Sequence, residues 1–104
     1  TNDLFFRVKI EEVAKQKNVK VGFVENPEEV RNAQTLIIDL NFEKFPIESI
    51  KKIKQENPKI HIIGYLSHVQ TKLKEEAMRA GCDEVMPRSQ FSAKLADILT
   101  KNNL

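Results

Sequence analysis

The chain has one cysteine, Cys82, so no intrachain disulfide can form, which fits a reducing compartment. Its three glycines are scattered, and none belongs to a glycine-rich phosphate loop of the dinucleotide or P-loop kind. No apolar run approaches the ~20 residues of a membrane span. No signal peptide precedes the first structured segment, and a cytoplasmic location is expected. Charge of one sign is lacking too. Seventeen Lys and Arg stand against 15 Asp and Glu, a net charge of +2, which argues against a strong electrostatic footprint for nucleic acid. There is no repeat, linker or low-complexity segment, and no catalytic Ser-His-Asp set can be argued from spacing.

What is present is a pattern of alternation. The 104 residues make one domain, 1–104, that is 40% hydrophobic and 31% charged. Residues 4–17 have a helical period, with Phe6, Ile10, Val13 and Ala14 on one face. Residues 20–24, KVGFV, read as a short strand, and Pro27 suits the first turn of a short helix through Ala33. Residues 35–40, TLIIDL, read as a strand whose Leu36, Ile37 and Ile38 are buried on both faces. Pro46 starts a helix striped by Ile47, Ile50 and Ile53 and ended by Asn57 and Pro58. Residues 60–66 form a further strand. A helix over 69–80 follows, with Val69, Leu73, Ala77 and Ala80 inward and Gly81 as its stop. Residues 83–86 give a last short strand, and Ser89 caps a helix carrying Phe91, Leu95, Ile98 and Leu99.

Short apolar strands alternating with helices of about ten residues imply βαβ units and a mostly parallel, doubly wound α/β sheet. The series opens on a helix, so a strand before Thr1 is expected to complete a (βα)5 unit. Asp39 falls at the C-terminal end of its strand, outside which open α/β sheets place their sites.

The stretches TLIIDLN and KEEAMRAGCDEVMPRSQF resemble the receiver (CheY-like) domain of two-component response regulators, over essentially the whole chain. The AMRAGCDEV piece is the most specific part. The resemblance implies a flavodoxin-like (βα)5 fold of three layers, α/β/α, with strand order 2-1-3-4-5. It places Asp39 on the phospho-acceptor position and Asn41 on the loop residue whose backbone carbonyl helps to bind Mg²⁺. The family lysine falls on Arg88, and the switch Ser/Thr on Leu66 or Ser67 according to a one-residue choice of register.

The chain departs from the family at several of these positions. The acidic pair that holds Mg²⁺ falls on Thr1 and Asn2, or with a one-residue shift on Asn2 and Asp3. Mg²⁺ therefore enters only through the weak set Asp39, Asn41 and Asp3. The proline that follows the family lysine is replaced by Ser89, with Pro87 on the other side of Arg88, and the aromatic switch position falls on Val85. The pattern is that of a pseudo-receiver. Asp39 either accepts loop N–H groups and pairs with Arg88 as a structural carboxylate, or serves as the nucleophile of phosphoryl transfer.

His68 is expected in the loop after its strand as a surface residue or helix-start donor, and His61 at a strand start, partly exposed. Cys82 is expected to be small, buried packing rather than a redox sensor.

The leading expectation is a regulatory module without turnover of its own. It would bind a protein partner, or a second copy of the chain, through the family's helix 4, strand 5 and helix 5 face, with Lys74, Glu75, Arg88, Gln90 and Lys94 as exposed candidates. The alternative is a receiver competent in a phosphorelay, phosphorylated on Asp39 with Mg²⁺. A third, a small-ligand flavodoxin-like module, has no residue set to support it.

Overall fold

A computed structural model describes residues 4–19, 21–22, 26–30, 34–42, 45–68 and 70–101. Helix α1 is Leu4–Gln16, followed by a single 3₁₀ turn, Pro27–Glu29. Strand β1 is Thr35–Asp39, helix α2 Ile47–Glu56 and strand β2 His61–Leu66. Helix α3 is Thr71–Ala80, strand β3 Glu84–Pro87 and helix α4 Arg88–Lys101. The described strands form a parallel sheet in the order β1-β2-β3, with Asp39 opposite Tyr65 and Leu66 opposite Pro87.

The sheet's two faces carry separate cores, because neighbouring residues of a strand point to opposite sides. Leu36, Ile38, Ile62, Leu66 and Val85 pack with Ile50 and Ile53 of α2 and Ala77 of α3. Ile63, Tyr65 and Met86 pack with Phe6, Ile10 and Ala14 of α1 and Phe91, Leu95, Ile98 and Leu99 of α4. The result is the three-layer α/β/α arrangement expected from the sequence. Phe91, Ile50, Ile62 and Ile63 are wholly shielded from water. A buried side chain of this size contributes on the order of 1.5–3 kcal/mol relative to an exposed one.

Several boundaries differ from the sequence expectation. The helix predicted from Pro27 through Ala33 is only the 3₁₀ turn. Asn26 caps it by accepting the Glu28 N–H, and Val30 leaves in an extended conformation at φ −74° and ψ 115°. Residues 31–33 lie outside the described residues. Of the strand expected over 20–24, Val21 and Gly22 pair with no strand among the described residues, and the other positions are not among them.

Ile37 is only partly buried. It packs toward the α1/α4 core, while Leu36 and Ile38 fill the other one. Ser89 lies inside the first turn of α4 rather than capping it, since the helix begins at Arg88 directly after β3. Helix α3 starts at Thr71, and Val69 is not among the described residues. Gly81 ends α3 as expected, at φ 132°, with its N–H bonded to the carbonyls of Ala77 and Met78.

Candidate functional site

The C-terminal ends of the three described strands each deliver one of the residues singled out in the sequence. Asp39 closes β1, Ser67 follows β2 and Arg88 follows β3. A parallel sheet places all such ends on one edge, which is where open α/β folds build their sites.

Asp39 is partly buried. Its Oδ1 accepts the backbone N–H of Asn41 at 3.0 Å, which folds the chain after β1 into a tight turn. The Phe42 N–H bonds to the Asp39 carbonyl at 3.1 Å, and the Leu40 N–H bonds to the Tyr65 carbonyl at 3.0 Å. Leu40 is buried against Gly64, where a Cβ would come within 2.9 Å of Leu40 Cδ1. The glycine in β2 thus makes room for the residue that anchors the Asp39 turn.

Asn41 joins this turn to the loop after β2. Its Oδ1 accepts both the Ser67 N–H, at 2.8 Å, and the Ser67 hydroxyl, at 3.0 Å. Its Nδ2 donates to Gln70 Oε1 at 3.0 Å. Leu66 is buried in the core, and Ser67 is the exposed residue bearing a hydroxyl at this edge. From the sequence Asn41 was assigned only a backbone role. Its side-chain bonds span 26 and 29 residues, a separation that no local pattern reveals.

Arg88 does not make the pair with Asp39 that one of the two sequence alternatives gave it. Its guanidinium carbon lies 4.4 Å from the centroid of the Phe6 ring. The reason is an aromatic cluster between α1, β2 and α4. Phe6 meets Tyr65 and Phe91 edge-on, at centroid distances of 5.2 and 5.7 Å, while Tyr65 and Phe91 stack at 5.0 Å. The fixed Phe6 ring offers a face to the first turn of α4, and a flat guanidinium stacks well there. Arg88 is correspondingly half-buried, unlike the exposed Lys74, Glu75, Gln90 and Lys94 with which it was grouped.

Of the Mg²⁺ candidates, Asp39 and Asn41 sit together, while Asp3, with Thr1 and Asn2, lies outside the described residues. Among the described residues no group of three or more His, Cys, Asp and Glu is placed to hold a metal ion. The described part of the edge does not by itself fit Mg²⁺. His68 is exposed near this edge.

His61 is partly exposed at the start of β2, as expected, but it belongs to a polar cluster at the opposite end of the sheet. Its Nε2 lies 2.7 Å from Glu84 Oε2 and its Nδ1 3.8 Å from Asp83 Oδ2. The same Asp83 oxygen accepts Lys54 Nζ at 2.9 Å and the Ile62 N–H at 2.8 Å. Partial burial works against the Asp83 carboxylate, but Lys54, the Ile62 N–H and His61 outweigh it and hold the pKa below the ordinary 3.8. Cys82 is buried, and its thiol is pushed up to about 12 by that burial and by neighbouring Asp83. A buried thiol so rarely ionised is a poor nucleophile.

No family model matches the chain, and no curated protein does. Solved structures do. A BeF3-activated DrrB receiver domain is 15% identical, with a TM-score of 0.79 over 95% of this chain and 88% of its own. The orphan response regulator HP1043 of H. pylori is 17% identical, with a TM-score of 0.72 over 92% and 86%. A response regulator from Burkholderia pseudomallei, bearing a phosphorylated aspartic acid, a calcium ion and citrate, is 12% identical, with a TM-score of 0.70 over 93% and 66%. No helix among the described residues is long and apolar enough to cross a membrane. The chain has the CheY-like, flavodoxin-like fold of response-regulator receiver domains.

Proposed function

We propose that the chain is a receiver-like signalling module that acts by binding a protein partner, with a degenerate phospho-acceptor site at Asp39. The observation that carries this reading is the position of Arg88. The cation at the family's lysine position rests on the Phe6 ring and makes no ion pair with Asp39. Phosphoryl transfer relies on positioned cations that neutralise the phosphoryl oxygens. A cation held on α1 is poorly placed for that task. The acidic pair, which falls on Thr1 and Asn2 or with a one-residue shift on Asn2 and Asp3, lacks at least one carboxylate in either register, which points the same way. The partner surface would be α3, β3 and α4, with exposed Lys74, Glu75, Gln90 and Lys94. The small net charge of +2 suits a protein partner better than nucleic acid.

Two observations favour a second reading, a phosphorylation-competent receiver that uses Mg²⁺. The Asp39 carboxylate has no ion pair among the described residues, and the Ser67 hydroxyl stands in the adjoining loop. Here an Asp39 oxygen would attack the phosphorus of an acyl phosphate. The new O–P bond forms as the bond to the leaving carboxylate breaks, and the carboxylate departs with the electron pair. Mg²⁺, held by Asp39, Asn41 and Asp3, would supply neutralising charge.

Intact mass after incubation with acetyl phosphate and Mg²⁺ separates the two. An unchanged mass is expected. A gain of about 80 Da, the mass of one phosphoryl group, that disappears in Asp39→Ala overturns the degenerate reading.

A further inference from the structure

At the end of the sheet away from Asp39, the His61 ring stands between two carboxylates. Its Nε2 lies 2.7 Å from Glu84 Oε2 and its Nδ1 3.8 Å from Asp83 Oδ2. Lys54 of α2 donates to the same Asp83 oxygen at 2.9 Å and to the Ile60 carbonyl at 2.7 Å. On β1 the residue opposite His61 is Thr35, which carries no charge, and the His61 N–H bonds to the Gln34 carbonyl. Among the described residues no further ion pair reaches the ring. The cluster thus joins α2, the start of β2 and the turn from α3 into β3. Asp83 and Glu84 set two negative charges against the one positive charge of Lys54. A neutral imidazole has one N–H and one lone pair. With its N–H on Nε2 and donated to Glu84, the Nδ1 lone pair faces an Asp83 oxygen that can only accept. A second proton makes both nitrogens donors, and the charges of the four side chains then cancel.

We infer that His61 is a proton-operated clasp, which ties the start of β2 to the turn between α3 and β3 more firmly when its ring is charged than when it is neutral. The clasp reaches the backbone through Asp83, whose Oδ2 also holds the Ile62 N–H at 2.8 Å. A charged ring draws that carboxylate toward β2 and helps to keep the Ile62 bond closed. A neutral ring leaves Lys54 as its one cationic partner. The His61 and Asp83 side chains are 34% and 35% exposed, so the ring trades protons with water without any opening of the sheet, and solvent screening keeps the effect modest. Histidine is the side chain whose charge ordinarily changes between about pH 5 and 8. Carboxylates that favour the charged ring add stability on the acid side of that window and lose it as pH rises through it. The clasp is independent of the Asp39 edge, which lies at the opposite end of the sheet.

The test is amide hydrogen exchange on the full chain, with the Ile62 N–H as reporter because its acceptor is the Asp83 carboxylate itself. Exchange is expressed as protection relative to an unstructured peptide at the same pH, which removes the pH dependence of the exchange chemistry. In the wild type, protection at Ile62 is expected to fall about threefold between about pH 5.5 and pH 7.5, the scale of a partly exposed charge pair. In His61→Gln, which keeps a polar side chain but does not titrate, it is expected to change by less than about 1.5-fold over the same range. Glu84→Gln removes the nearer negative charge and leaves the ring in place, and less than about half of the wild-type change, on a logarithmic scale, is expected to remain. A flat wild-type profile overturns the inference. So does a fall of equal size in His61→Gln, which would place the titrating group elsewhere, or a full wild-type response in Glu84→Gln.

Discussion

The Ser67 hydroxyl lies 3.0 Å from the Asn41 side-chain carbonyl, and the Asn41 N–H lies 3.0 Å from Asp39 Oδ1. These bonds join the ends of two neighbouring strands through one asparagine. The Asp39 carboxylate thus sits in a braced turn, and the brace is anchored from below by Leu40 against Gly64.

Replacing Gly64 by alanine tests that anchor. The added Cβ would come within 2.9 Å of Leu40 Cδ1 and within 3.2 Å of the other two branch atoms. Leu40 has to shift, and overpacking of this kind costs about 1–3 kcal/mol. Urea unfolding should show a lower midpoint at an unchanged slope. The amides of Asn41 and Ser67 should move in the same variant, because Leu40 directly precedes Asn41.

The Phe6–Arg88 contact should appear as a coupling energy. A double-mutant cycle of Phe6→Leu and Arg88→Gln, read by chemical denaturation, is expected to give about 0.5–1 kcal/mol of coupling, as for a partly exposed cation over a ring. Strict additivity would mean that the ring does not hold the guanidinium. That result would remove the main support for a degenerate site.

Acid stability should depend on Asp83. Folding lowers its pKa below the ordinary 3.8, so the ionised form is favoured in the folded state. The stabilisation is present above the unfolded pKa and is lost as pH falls through the folded one. Asp83→Asn is expected to destabilise the protein at pH 7 and to flatten the decline in stability below about pH 4. The side chain is 35% exposed, so solvent screens its pair with Lys54 and the effect should be modest. A melting-temperature profile against pH that is parallel for the two proteins would contradict the assignment.

The Cys82 thiol should be inert. With a pKa of about 12 and a buried position, it is expected to react with a disulfide reagent at pH 8 only on unfolding of the surrounding structure. Rapid native-state labelling, at a rate independent of added urea below the transition, would show an accessible thiolate. Cys82→Ala should cost no more than about 2 kcal/mol, the scale of a small cavity.

Much of the architecture was legible in the sequence because it depends on periodicity. The apolar stripes Ile50/Ile53 and Phe91/Leu95/Ile98/Leu99 fixed two helices and their buried faces. Gly81 marked a helix end because a positive φ favours glycine. The boundary errors have local causes. The helix predicted after Pro27 ends at Glu29, where Val30 turns extended, and Ser89 falls inside α4 because β3 runs into the helix without a loop.

By itself the sequence determined the alternation of strands and helices, the parallel α/β class and the place of Asp39 at a strand end. Each follows from the order of apolar and polar residues along the chain. Only the tertiary structure decided what surrounds that carboxylate. It brought Asn41 to Ser67 and Gln70, and it set Arg88 on Phe6 instead of against Asp39. Those partners lie 26 to 82 residues apart, and they meet because the parallel sheet aligns its strand ends and the α1/α4 layer packs an aromatic ring beside one of them.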